Sequence, residues 1–302
     1  MRLDDFDNSI NVEDQRGGGG SRMGGPGGKI GCGSLVIALI GALVFGINPL
    51  QTLGTLQGMQ EAAGPVAAPQ AGPQGRSSLA ESCSANAFSR ESCNALASLN
   101  KTWEPLFRKA GIDFSAPKLV FYARNGQSGC GAAQSAMGPF YCPPDHGIYI
   151  DTDFFTEMER QMQAGGDFAR AYVMAHEYGH HIQNLVGTSD QVNQAQRRNP
   201  PMANRLSVKL ELQADCYAGV WAARNKDRIE PGDIEEGLTA AHQIGDDTLM
   251  ASAGRTPVEA SFTHGSSAQR MAWLRKGLET GNEDVCDTFA DKGAWGNNPA
   301  QR

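Results

Sequence analysis

Leu96, Leu99, Trp103, Leu106 and Phe107 recur at helical spacing and predict an amphipathic helix that Gly111 ends. Two short runs rich in apolar and aromatic residues then read as strands, Lys118 to Ala123 and Gly147 to Asp151, with a Gly- and Cys-rich loop between them. Helical periodicity dominates the rest of the chain: Asp153 to Gln163, Asp167 to Leu185 with Asp167 as its N-cap, and Leu206 to Arg224. A further helix opens at Pro231, with Ile234, Leu238 and Ala241 on its apolar face, and a last one contains Arg270, Met271 and Leu274. The polar stretch from Gly187 to Asn204 interrupts this series and reads as a mobile lid or edge loop. The pattern predicts an α+β domain, mainly helical with a small sheet, over residues 79–302.

Upstream of that domain the pattern changes twice. Residues 1–29 are polar and end in a run containing Gly17 to Gly20 and Gly24-Gly25-Pro26-Gly27-Gly28, too poor in apolar surface to fold alone, so a disordered cytoplasmic tail is expected. From Ile30 to Ile47 every residue is apolar or small, and no charge occurs between Lys29 and Glu61. At about 1.5 Å per residue this stretch nearly spans a hydrocarbon core, and residues 30–48 are expected to form one transmembrane helix. A cleaved signal peptide and a buried helix are the alternatives. Arg16, Arg22 and Lys29 precede the span, which puts the N-terminus in the cytoplasm and the domain outside, in the periplasm or beyond the cell. Residues 49–78, rich in Pro, Gly, Ala and Gln, read as a linker that holds the domain off the membrane.

Composition narrows the function classes. A chain of 302 residues with 40% hydrophobic content can build one catalytic domain. Its net charge of -7 leaves no basic stripe to neutralise phosphates, so nucleic acid is not an expected partner. Of the seven cysteines, Cys32 lies in the apolar stretch, and Cys83, Cys93, Cys130, Cys142, Cys216 and Cys286 form an even set that suits an oxidising compartment. About fifteen connectivities are possible for such a set. Short loops favour Cys83 with Cys93 and Cys130 with Cys142, which leaves Cys216 to tie its helix to the C-terminal segment; free buried thiols in a cytosolic enzyme are the rival reading.

The candidate chemistry sits in His176-Glu177-Tyr178-Gly179-His180. On a helix, residues four apart lie about 40° apart in azimuth and about 6 Å along the axis, so both imidazoles reach one metal ion. Glu177 falls beside that ion, where it can take a proton from a bound water. His181 points to another face and reads as a bystander. A catalytic zinc site takes three protein ligands and a water, and the next candidate lies in Leu210-Glu211-Leu212-Gln213-Ala214-Asp215. Glu211 and Asp215 are again four apart on an apolar helix: one carboxylate can ligate while the other accepts the ring N–H of a ligand histidine. His242 reads as a helix-surface residue, and Asp246-Asp247 as caps of the turn at Leu249 rather than a calcium site.

His-Glu-x-x-His followed by Glu-x-x-Ala-Asp resembles the gluzincin pattern of the CAAX-prenyl-protease and heat-shock membrane metallopeptidases. More closely, the whole chain resembles the bacterial neutral zinc metallopeptidase family. The shared motifs run from Ser9-Ile10-Asn11-Val12-Glu13-Asp14-Gln15-Arg16-Gly17 through Tyr141-Cys142-Pro143-Pro144-Asp145, the His176 and Glu211 motifs, and Thr263-His264-Gly265-Ser266-Ser267 to Arg270. The resemblance implies a zincin-like peptidase fold with an antiparallel-edged sheet, Zn²⁺ held by His176, His180 and Glu211, Glu177 as general base, Asp215 behind the ligands, and a peptide or protein substrate. It further implies that strand 147–151 lines the cleft, with His146 on its rim or merely on a surface loop. The stretch around His264 looks like the Thr-His-Pro segment beside the cleft of related enzymes, with Gly265 in place of Pro; His264 would donate to the oxyanion and Arg270 would anchor its loop. A catalytically silent, membrane-tethered binding or scaffold protein and a zinc amidase or esterase are the rival functions.

Overall fold

The computed structural model describes residues 1–16 and 78–290. Local chemistry sets the first helices. Ser78 and Glu81 cap α1 (Leu79–Ser84) reciprocally, Asn86 accepts the Ser89 N–H at the start of α2 (Ala87–Ala110), and Gly111 closes α2 at φ 70°. The α2 stripe of Leu96, Leu99, Trp103 and Phe107 is buried, as its spacing implies.

The sheet holds a strand that hydrophobic patterning did not reveal. β1 (Asn11–Asp14) lies parallel beside β2 (Lys118–Tyr122), and the bounds of β2 match those its composition implies to within a residue. β3 (Asn125–Ser128) and β4 (Gly131–Gln134) form a separate hairpin within the Gly- and Cys-rich loop. β5 (Phe140–Cys142) returns antiparallel to β6 (Gly147–Asp151), which is also paired in parallel with β2, so the order is β1-β2-β6-β5.

Residues 1–16 are therefore not a disordered tail. Arg16 pairs with Asp14 at 2.6 Å, donates to the Ser82 carbonyl at 2.8 Å and to Ser89 Oγ at 2.6 Å, and lies 4.5 Å over the Phe121 ring. Met1 is buried, with its ammonium 2.7 Å from Asp167 and 2.8 Å from Asp233. Composition misleads here because a lone strand need not bring its own core: backbone pairing to β2 and a few polar anchors hold it. Residues 17–29, the expected span at 30–48 and the linker up to residue 77 lie outside the described residues; among the described residues no helix is long and apolar enough to cross a membrane. A β-ladder joins strands in one compartment. Residues 11–14 and 118–122 thus share one side of any membrane, which is at odds with an N-terminus inside and a domain outside.

Seven more helices complete the described residues: α3 (Asp153–Met162), α4 (Asp167–Leu185), α5 (Thr188–Arg198), α6 (Ala203–Arg224), α7 (Asp233–Gln243), α8 (Asp246–Ser252) and α9 (Ser267–Thr280). The chain is α+β and mostly helical, as expected. Several boundaries differ, α6 opening at Ala203 rather than Leu206 among them. Asp167 is the first helical residue rather than the cap of α4; Gly166 takes the cap position, and Glu236 of α7 accepts the Phe168 N–H at 3.1 Å. Pro231 precedes α7, which starts at Asp233. The stretch 187–204 is mainly helical: α5 buries one apolar side chain, Val192, against Leu206 and Phe289, too few apolar positions to show a period.

Glycines let α6 meet its neighbours backbone to backbone. A Cβ on Gly179 of α4 would lie 2.8 Å from Ala214 Cα, and one on Gly277 of α9 would lie 2.1 Å from the Cys216 carbonyl oxygen. Of the three disulfides, Cys83–Cys93 and Cys130–Cys142 are the pairs that loop length favoured, and Cys216–Cys286, the pair that remained, ties α6 to the segment before residue 287. As a test of the β1 ladder, reporter cysteines at exposed Asp5 and Lys109, in a Cys32→Ser background, should both react or both resist a membrane-impermeant maleimide in intact cells. Reaction at only one of them would contradict the ladder.

Candidate metal centre

Successive turns of α4 present His176 and His180 with ring centroids 4.9 Å apart, and α6 brings Glu211 up to both. His176 Nε2 lies 3.1 Å from Glu211 Oε2, and His180 Nε2 lies 3.5 Å from Glu211 Oε1. Bonds of about 2.0–2.1 Å to a tetrahedral Zn²⁺ separate neighbouring ligand atoms by about 3.3 Å, so these contacts match the edges of such a site. The opposite ring nitrogens are committed elsewhere. His176 Nδ1 donates to Asp215 Oδ1 at 2.8 Å, and His180 Nδ1 donates to Gln183 Oε1 at 2.9 Å. Gln183 is itself held by its amide, which donates to the Leu210 carbonyl at 2.7 Å and to Gln213 Oε1 at 3.1 Å. With both Nδ1 protons placed, both Nε2 lone pairs face one point, and two imidazoles with one carboxylate suit zinc with an open fourth position.

Behind the ligands the network is buried and charged. Asp215, fully buried, also accepts the Tyr172 hydroxyl at 2.6 Å and the Arg270 guanidinium at 2.9 Å through both of its oxygens. Burial alone would raise its pKa, but Arg270 and His176 outweigh that and bring it to about 2. Arg270 donates as well to the Ile244 carbonyl at 3.1 Å. It thus anchors Asp215, and not the loop of His264 as expected from the sequence. That loop is held by Asp246, whose carboxylate accepts the backbone N–H groups of Thr263, His264 and Gly265 and stands 3.1 Å from His264 Nδ1. Asp247 binds Ser267, so neither acid caps the turn at Leu249. For Glu211, burial is overcome by His180 and His176, which hold it well below the usual carboxylate range. Glu177, outside the three-ligand cluster, is raised by burial.

His176, His180, Glu211, Glu177, His264 and Arg270 all line one cleft of about 300 Å³. One wall is apolar, made of Met137, Pro139, Phe140, Phe154 and Val173; α5 supplies Ser189, Asn193 and Gln196 to the other. The edge that could receive an extended chain is β5, because β6, to which residues 147–151 belong, is paired on both sides. His181 faces away from the cluster, fully buried, and burial pushes its pKa down to about 4. His146 packs its ring edge-on against His181, centroids 5.6 Å apart, and His242 is on the surface of α7. Sequence reasoning did not single out Gln183, Tyr172 and Asp246 for these roles. Of these, Gln183, three residues beyond His180, and Tyr172, four residues before His176, share the ligand helix and so carried a local signal.

A helix that offers the imidazoles of His-Glu-x-x-His to a carboxylate on a second helix, all lining one cleft, could hold a metal of the zinc type. The chain belongs to the neutral zinc metallopeptidase family: a family model described as "Putative neutral zinc metallopeptidase" matches residues 1–289. Among its relatives, "Uncharacterized protein YpfJ" of Escherichia coli K12 is 42% identical over 295 residues, covering 96% of this chain and 99% of the relative. "Uncharacterized protein Rv2575" of Mycobacterium tuberculosis H37Rv is 41% identical over 207 residues, 64% of this chain and 68% of its own length. No solved structure matches the chain.

Two substitutions test this architecture. Asp215→Asn should destabilise the fold by about 3–5 kcal/mol in denaturant titrations at neutral pH, because it leaves Arg270 buried without its counter-charge. A loss below about 1 kcal/mol would show that the pair carries little. Gly179→Ala should cost about 1–3 kcal/mol and weaken zinc binding, read by competition with a chromophoric chelator, as the new Cβ drives α4 from α6. Unchanged zinc affinity would mean that ligand spacing does not depend on this contact.

Proposed function

We propose that the protein is a zinc metallopeptidase with the gluzincin ligand arrangement on a zincin-type fold, hydrolysing peptide bonds in extended peptide or protein segments. The observation that carries this reading is the convergence of the His176 and His180 Nε2 atoms on the Glu211 carboxylate while both Nδ1 atoms are tied elsewhere. Zinc bound by His176, His180 and Glu211 would polarise the scissile carbonyl and acidify water. Glu177 takes the proton of the attacking water and returns it to the leaving amine, a task suited to a carboxylate whose pKa burial has raised. His264, oriented through Nδ1 by Asp246, offers its other nitrogen to the oxyanion.

Substrate binding is set by the walls. An extended segment adds to the free side of β5, and its side chains meet Met137, Phe140, Phe154 and Val173. The charged residues lining the cleft, Glu177, Glu211 and Arg270, all belong to the metal centre, so apolar substrate side chains are favoured and charged ones find no partner. The three disulfides support an oxidising compartment, periplasmic or extracellular, shared by residues 1–16. If residues 30–48 attach the protein to a membrane, residues 16 and 78 then lie on the same face of it.

Glu177→Gln should keep stoichiometric zinc and lower peptide hydrolysis by about 10²–10⁴-fold. His264→Ala should also keep zinc and lose about 10²–10³ in kcat. A chelator should abolish cleavage and zinc should restore it. Peptide binding without any Glu177-dependent cleavage would instead favour the catalytically silent scaffold.

A further inference from the structure

The third histidine of His176-Glu177-Tyr178-Gly179-His180-His181 belongs to a second network, on the flank of α4 that carries Glu177. His181 Nε2 lies 2.7 Å from the Ser115 carbonyl oxygen, which can only accept, so Nε2 carries the proton. In the neutral ring Nδ1 is then an acceptor, and it lies 3.0 Å from the Tyr141 hydroxyl, which donates to it. Asn184, one turn along α4, donates its side-chain amide to the same hydroxyl oxygen at 3.1 Å. Each donor has one acceptor, and the direction of the chain from Asn184 through Tyr141 and His181 to Ser115 is fully determined.

Tyr141 is the middle residue of β5, the edge strand of the cleft. Its neighbours Pro139 and Phe140 line the apolar wall, and its backbone N–H faces the Glu177 carboxylate. With three residues paired to β6 on one side only, β5 has little ladder of its own to fix its distance from α4. The hydroxyl of Tyr141 supplies that fixation from the other direction.

We infer that His181 is a positioning residue: through Tyr141 it clamps β5 to α4 and so sets the register between the strand that receives the peptide and the residues that cleave it. The inference rests on the peptidase reading of the cleft. It assigns His181 a role one link removed from the substrate, with Asn184 as the second jaw of the clamp.

The full-length protein tests it. Tyr141→Phe keeps the ring and removes only the hydroxyl; His181→Leu removes the acceptor; His181→Asn places an amide oxygen where Nδ1 stood. Tyr141→Phe and His181→Leu should retain zinc and lose roughly five- to tenfold in kcat/KM, the worth of one hydrogen bond, mostly through KM and more for long peptides than for a blocked dipeptide. His181→Asn should recover part of that loss. A Tyr141→Phe protein within about twofold of wild type on long peptides overturns the inference. The clamp is also read without turnover: amide hydrogen exchange at residues 140–142 should rise in Tyr141→Phe while zinc affinity holds, and unchanged exchange overturns it equally. Failure of the wild type to cleave any peptide would count against the peptidase reading, and the exchange measurement would still decide on the clamp.

Discussion

The candidate metal centre is built across a helix contact in which the only side chain is the Ala214 methyl. Gly179 of α4 meets Ala214 of α6 so closely that even a methyl group would lie 2.8 Å from backbone. A glutamate side chain reaches only a few ångströms, so Glu211 can meet His176 and His180 together only if the helix axes stay at this separation. The glycine inside the motif is thus a ligand-spacing device as much as a helix residue. A comparable crossing, with Gly277 of α9 against the Cys216 carbonyl, sets Arg270 on Asp215. Both contacts converge on α6, and the Cys216–Cys286 bridge adds a covalent tie to the same helix.

Electrostatics explains why such a polar interior holds together. Three carboxylates, Glu177, Glu211 and Asp215, face one guanidinium, Arg270, and the imidazoles, whose charge is favoured beside these acids, would have to be neutral as metal ligands. The negative charge then left over is what a divalent cation would cancel, and buried charge persists only where it is paired or bound to metal. Asp215 divides its two oxygens between Arg270, Tyr172 and His176, so one carboxylate fixes the ring orientation and neutralises the cation behind it. The side-chain amide of Gln183 does for His180 without charge what Asp215 does for His176 with it.

Neighbouring stripes of α4 serve different ends. His176 and His180 point toward the cleft, while His181 and Asn184 hold the Tyr141 hydroxyl of the edge strand beside it, so one helix carries both candidate ligands and a tie to the strand at the cleft. The N-terminal strand adds a constraint from outside the helical layer. By pairing with β2 it draws the first residues of the chain into the same folded unit, and the compartment of one becomes the compartment of both.

Much of this was legible in the residues alone. The spacing of His176, Glu177 and His180, the pairing of Glu211 with Asp215 four residues on, the helices at 153–163, 167–185 and 206–224, and the short-loop disulfides all rest on local periodicity, which sequence records directly. Folding alone decided the rest. That β1 leaves the polar N-terminal segment for the sheet, that β5 rather than residues 147–151 forms the cleft edge, that Asp246 rather than Arg270 holds the His264 loop, and that α5 is helical all depend on partners distant in the chain. A residue's neighbours along a helix are given by 3.6 residues per turn; its neighbours across a sheet edge or a glycine crossing are given only by how the finished layers meet.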